Sequence, residues 1–304
     1  MSTTRKLIEA LRERLGQADP LPSPPAIPRI QAPPTRVFPT ARTRSCYAEQ
    51  AAAHTAAILG IGHVGTRYAT DVVLQFQAEL AVAHDAVHTV LPDDWAQSQG
   101  LLPLKSRVED HHQFLLRPDL GRRLDEESLE RLRGNAIQDV DIQPILADGL
   151  SAVATMGSGI RLLETFSNEC RFRGWTVGTP MCAKYARVWL QDEIGETVGA
   201  RVACILLGER PGLGTGDGLS AYMVYEPRMG KTDSDRNMIS NIHARGIVPE
   251  LAGRQLAMMA GAMLDQKTSG VSLDLSGLTA ELGQAASGGY REPQRRVRLV
   301  ETDR

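Results

Sequence analysis

Apolar residues along this chain fall into two periodicities. Val202 to Leu207 is a run of six residues without a charge, the length and composition of a strand buried on both faces. Ile142 to Asp148 and Ala221 to Tyr225 read the same way, and Val177 opens an extended stretch that reaches Pro180. Between these runs the spacing lengthens to three and four. Thr70 to His88 carries Val73, Phe76, Leu80, Ala83 and Val87 as a core-facing helical stripe. A short helix through Trp95 stops at Gly100, and Asp125 reads as the N-cap of a helix to about Arg133. Helical stretches also run from Ser151 to about Arg173, from Arg187 to Val198, and from Pro249 to Lys267, the last with Leu251, Leu256, Met259 and Met263. Strands alternating with helices predict an α/β fold with a doubly wound, largely parallel, Rossmann-like sheet.

The amino-terminal part follows a different pattern. Thr3 to Leu15 places Leu7, Ile8, Leu11 and Leu15 on one helical face, and eight of the 17 prolines then lie between Pro20 and Pro39. An amphipathic helix on a Pro-rich tether reads either as a docking element or as a frayed terminus. Ala48 to Leu59 is Ala-rich and predicts a helix, which runs into Gly60-Ile61-Gly62-His63-Val64-Gly65. The predicted organisation is a helix and linker over 1–45, a small helical domain over 46–105, the sheet domain over 106–280 and a flexible basic tail over 281–304.

Length and composition narrow the function. A chain of 304 residues with 42% hydrophobic content can build its own core. Thirty-four basic and 36 acidic residues leave a net charge of −2, so no global basic field points to nucleic acid. No apolar run has the ~18 residues that a membrane helix needs, and no signal-peptide core is present, which predicts a soluble cytoplasmic protein. Cys46, Cys170, Cys182 and Cys204 lack the spacing of a zinc site and read as free thiols.

Candidate chemistry concentrates after the Val202–Leu207 run. Gly208, Glu209, Arg210, Pro211, Gly212 and Gly214 follow it, and open α/β sheets bind ligands in the crevice beyond the carboxyl ends of their strands. Glu209 and Arg210 are chain neighbours that point apart on extended backbone, so each needs a partner elsewhere, a structural ion pair being one reading. Phe114 to Arg123 joins an apolar pair to a Pro/Gly turn with three arginines, a pattern that suits either an anion or ion pairs across a domain boundary.

Other motifs match by letter alone. Gly60, Gly62 and Gly65 spell GxGxxG, which raises a nicotinamide-dependent oxidoreductase as an alternative, but the run before them is Ala-rich rather than β-branched and favours a turn between two helices. Gly230-Lys231-Thr232 lacks the first P-loop glycine, whose place Tyr225 takes. Asn241-Ile242-His243-Ala244-Arg245-Gly246 approaches the cobalt-ligand pattern Asp-x-His-x-x-Gly. Asn241 stands where the orienting Asp belongs, so His243 is not expected to bind metal.

Five motifs occur in order: FLLRPDLGRRL from Phe114, ADGLSA from Ala147, IGE from Ile194, GERPGLG from Gly208 and DRNMISNIHARG from Asp235. From about Ile58 to Gly270 the chain resembles the small subunits of ethanolamine ammonia-lyase, an adenosylcobalamin enzyme family. The resemblance implies radical elimination of ammonia from ethanolamine to give acetaldehyde. It also implies a large-subunit partner that holds the substrate, and packaging in a bacterial microcompartment through the amino-terminal helix. Cofactor contacts are carried over to Val188, Glu209 and Met238, with no metal ligand and no catalytic residue on this chain. Met238 stands where the family commonly has Cys, which keeps two other readings open: a gap-filling core methionine, and a non-catalytic interaction subunit.

Overall fold

The computed structural model describes residues 63–214 and 216–277, together with Gln50 and Ile61. The Thr3–Leu15 helix, the Pro-rich stretch, Gly60, Gly62 and the basic tail lie outside the described residues, as does all of the Ala48–Leu59 helix except Gln50.

A hairpin opens the described chain: β1 (His63–Val64) pairs antiparallel with β2 (Arg67–Tyr68), and Gly65 turns between them at φ +65°. This corrects the expected glycine turn between two helices. It also removes the context of a dinucleotide fingerprint, in which the third glycine opens a helix. Here the next helix, α1 (Thr70–His88), begins five residues after Gly65.

The stripe expected on α1 is also corrected. Val72, Glu79, Ala83 and Ala86 form the buried face, while Val73 and Leu80 are 36% and 50% exposed. Ala83, one of the expected stripe, is buried as expected, and Val82 and Ala86 face the loop after β6, in ordinary contact range of Gly216.

Six strands then build the central sheet. They are β3 (Leu102–Lys105), β4 (Ile142–Ala147), β5 (Met181–Lys184), β6 (Val202–Gly208), β7 (Leu219–Tyr225) and β8 (Arg236–Ile242), in the order β3-β5-β4-β6-β7-β8. The first three pairings are parallel and the last two antiparallel, so β7 alone runs against the others. β3, β5 and β8 were not foreseen as strands. β3 contains Pro103 and spans four residues, too few for a periodic signal, yet it pairs with β5 throughout. β8 lies at the edge, mixes polar and apolar residues without a regular alternation and has no long apolar run.

Helices cover both faces. After α2 (Trp95–Ser98) and α3 (His111–Leu116), α4 (Glu126–Asn135) starts at Asp125, whose side chain accepts the Ser128 N–H. Ser151 caps Ala152–Ala154, a π-turn follows at Thr155–Gly159, and α5 (Ile160–Phe172) continues it. The last two are α6 (Leu190–Thr197) and α7 (Pro249–Gln266), the latter closed by Lys267 in the left-handed conformation at φ 56°. Leu162 and Phe166 of α5 and Leu256 and Met263 of α7 pack on one face, against Leu146, Cys204, Leu206 and Met223. Leu132 of α4 and Leu190 and Ile194 of α6 pack on the other, against Ile145, Ala183, Ile205 and Leu207. β6 lies between them with all seven residues buried, as its uninterrupted apolar run requires.

Candidate functional site

Three neighbouring parallel strands, β5, β4 and β6, end side by side, and each end carries a polar or charged group. Asp148 follows β4, Lys184 closes β5 ahead of the Tyr185–Trp189 turn, and Glu209 follows β6. Asp148 is buried, and its carboxylate accepts the backbone N–H groups of Tyr185 at 2.7 Å and Ala186 at 3.0 Å. Burial pushes its pKa up to about 6, although those two N–H groups and that of Gly149 pull the other way.

Hydrogen bonds hold the Tyr185–Trp189 turn at several of its polar atoms. Tyr185 sits at φ 57°, and its carbonyl accepts the Ser106 hydroxyl at 2.7 Å. Arg187 donates its backbone N–H to Gly121 O at 2.8 Å and Nη2 to Phe114 O at 2.8 Å, with its guanidinium 4.2 Å from the Phe114 ring centre. Val188 is thereby presented half-buried against the cluster formed by α4, α6 and the sheet. Trp189 donates its indole N–H to Asp233 at 2.7 Å.

Glu209 lies on that same side of the sheet. It follows Leu207 by two residues, Ser220 pairs with Leu207, and the Ser220 hydroxyl donates to Glu209 Oε1. Two residues further along β7, Tyr222 packs on the same cluster as Val188; burial first and the Glu209 charge second raise its pKa, opposed by a hydrogen bond with Ser220. Met238 of β8 pairs with Tyr222 and is 48% exposed, so it is no gap-filling core residue. Val188, Glu209 and Met238 therefore occupy one face of the sheet, with Ser220 and Tyr222 between. Glu209 makes no ion pair among the described residues; its partner is a hydroxyl.

Sequence reasoning did not single out Ser220, Tyr222, Arg187 or Asp148. The signal for Asp148 was its place at the end of an apolar run; Ser220 and Tyr222 show only as alternate residues of a strand whose pairing was unknown.

The histidines and thiols do other work. The Arg245 N–H donates to His243 Nδ1 at 3.2 Å, so Nε2 carries the proton shared with Asn241 Oδ1 at 2.6 Å, and both ring nitrogens are engaged. Among the described residues no group of three His, Cys, Asp or Glu could hold a metal ion. Cys170, Cys182 and Cys204 are buried and free, and burial pushes their thiols up, to about 12 for Cys170, which keeps them unreactive. An open groove of about 450 Å³ between Gly195 and Arg228 lies at the amino end of β6, away from Glu209.

The arrangement is that of a mixed α/β protein with polar and charged groups gathered beyond the carboxyl ends of its parallel strands, the place where open α/β sheets bind ligands. The model of the ethanolamine ammonia-lyase light chain matches residues 47–274, starting earlier than the sequence motifs suggest. The ethanolamine ammonia-lyase small subunit of Fusobacterium nucleatum subsp. nucleatum is 42% identical over 221 residues, which are 73% of this chain and 75% of that protein. The corresponding small subunit of Clostridium acetobutylicum is 39% identical over 219 residues, 72% of this chain and 90% of that one. The chain belongs to the ethanolamine ammonia-lyase light-chain family. Among the described residues no helix is long and apolar enough to cross a membrane.

Proposed function

We propose that this chain is the small subunit of an adenosylcobalamin-dependent ethanolamine ammonia-lyase, active only with a larger subunit that holds the amino alcohol. The reading takes the sheet domain as a doubly wound, Rossmann-like unit that closes over the corrin. The observation that carries it is the sheet face shared by Val188, Glu209 and Met238.

A corrin is a broad apolar plate fringed with amide groups, so it suits aliphatic surface beside hydrogen-bond acceptors. Val188 and Met238 offer the first. Glu209 offers the second, since among the described residues its carboxylate has only a hydroxyl donor. The Nε of Arg187, buried beside Val188 without a partner, adds a polar atom on the same turn. These residues fit the cofactor. Bound there, it supplies radical initiation through homolysis of its cobalt–carbon bond. The chain's own work is binding, orientation and exclusion of water: Val188 and Met238 seat the plate, Glu209 accepts an amide N–H, and Asp148 fixes the turn that presents Val188. No acid, base or nucleophile is assigned to this chain.

The test is acetaldehyde release from ethanolamine and adenosylcobalamin by this chain, by a matching large subunit, and by the two co-expressed. Activity in the pair alone is expected. Full activity from the large subunit by itself would overturn the reading; a stable but inactive pair would make this a non-catalytic interaction subunit. The amino-terminal helix is assigned to packaging in a microcompartment, so deleting Met1–Gly16 should leave a cytoplasmic enzyme of unchanged activity. Packaging retained by the truncated chain would sink that part.

A further inference from the structure

Three arginines surround the Val188 turn, and none of them has a carboxylate partner among the described residues. The Pro/Gly turn over 117–123 contains three arginines of its own. Arg117 pairs with Asp119 at 2.7 Å and Arg123 with Glu193 at 2.9 Å, ion pairs within the sheet domain rather than across its boundary. Arg122 has neither, and its guanidinium lies 4.4 Å from the Trp189 ring centre.

Arg187 stands two residues before Trp189, in direct contact with the Arg122 segment: a Cβ on Gly121 would fall 2.7 Å from Arg187 Cγ. Its Nη2 goes to Phe114 O, its Nε is buried without a partner, and nothing among the described residues accepts a hydrogen bond from Nη1. Arg210, exposed and next to Glu209, is the third. Burial makes the Arg187 proton easier to lose; Asp148 opposes this, while Arg122 and Arg210 are both near enough to press the same way as burial. Asp148 is the nearby carboxylate that opposes burial here, but it makes no ion pair with Arg187 among the described residues; its oxygens accept the Tyr185 and Ala186 N–H groups.

Three like charges with one carboxylate near them and no ion pair among the described residues leave positive charge in excess, which costs free energy, and more so where water is partly excluded. An anion removes that cost. We infer that Arg122, Arg187 and Arg210 form a binding site for a single phosphodiester, the one in the nucleotide loop that hangs from the corrin of cobalamin. The inference rests on the cofactor reading above, since these arginines flank Val188 and Glu209. Guanidinium suits the task through its planar fork of N–H donors, which matches phosphate oxygens in pairs. The other available source of negative charge is an acidic side chain of the larger subunit, and the experiment separates the two.

The two-subunit complex is titrated with cyanocobalamin and, separately, with dicyanocobinamide, the corrin without its nucleotide loop, and binding is followed by visible absorption. Arg122→Gln and Arg210→Gln should each weaken cyanocobalamin about three- to tenfold and leave dicyanocobinamide unchanged. Arg187→Lys, which keeps the charge but not the fork, should do the same. Arg210 makes no hydrogen bond within the described fold, so its variant tests the idea even where an Arg187 variant misfolds. Unchanged cyanocobalamin affinity, or equal loss for both corrinoids, overturns the inference. Loss of subunit assembly with corrinoid affinity unchanged also overturns it, in favour of a partner carboxylate. A wild-type complex that binds neither corrinoid defeats the cofactor reading itself, an outcome distinct from these.

Discussion

The carboxylate of Asp148 accepts the backbone N–H of Tyr185 at 2.7 Å, which ties the end of β4 to the turn that leaves β5. A fully buried acid thus holds a residue in the left-handed region, where a non-glycine pays about 1 kcal/mol or more. Asp148→Ala leaves the Tyr185 and Ala186 N–H groups without this acceptor, at roughly 1–3 kcal/mol each. Urea denaturation should show a loss of about 2–5 kcal/mol, and a loss below 1 kcal/mol would dissociate Asp148 from the turn.

The same residue sets a pH dependence. Its folded pKa, about 6, lies above the ordinary 3.8, so between those values the folded chain binds the proton more tightly than the unfolded one. Its contribution to stability is therefore present below pH ~4 and is lost as the pH rises through ~6. The span is on the order of 3 kcal/mol. Asp148→Asn cannot titrate, so the stability of wild type relative to this variant should fall between pH 4 and 7; a constant difference would refute the assignment.

Asp192 and Arg236 form a bidentate pair, with Nη1 to Oδ1 at 2.8 Å and Nη2 to Oδ2 at 2.6 Å, and both side chains are at most 3% exposed. Removing one partner strands the other charge away from water. Arg236→Ala should cost about 3–5 kcal/mol, and the double variant Asp192→Leu with Arg236→Met should recover much of it. Denaturation midpoints of wild type, Arg236→Ala and the double variant give the comparison, and a double variant no more stable than Arg236→Ala would contradict the pairing.

Gly149 turns at φ +54°, and a Cβ there would come within 2.3 Å of the Gly208 carbonyl oxygen, where the loop after β4 touches the end of β6. Backbone cannot yield as a side-chain tip can. Gly149→Ala should lower the melting temperature by many degrees or prevent soluble expression, whereas Gly134→Ala, with open space around it, should not.

Met238 offers a contrast between stability and binding. Half exposed on the edge strand β8, its truncation to Ala should change folding stability by no more than about 0.5 kcal/mol. Under the cofactor reading the same change weakens cobalamin binding by the assembled enzyme several-fold. Equal affinity in a spectroscopic titration would remove Met238 from the cofactor surface.

What the sequence determined by itself was local. The charge-free run of β6, the cap at Asp125 and the Pro249 start of α7 each carry their signal within a few residues, and the expected elements formed there. The motif series was enough to suggest the family. Tertiary structure decided what depends on distant partners. The apolar stripe of α1 could not say which side would pack, because apolar residues lie on more than one side of that helix and Val73 and Leu80 stay exposed. β3 and β5 are too short to announce themselves and exist through pairing. The candidate face shows the same division: Glu209 could be singled out from the chain, but that its carboxylate would meet Ser220, beside a turn pinned by Asp148, was set by how β4 to β7 are ordered. Side chains from four strand ends become neighbours only through that order, which no local pattern encodes.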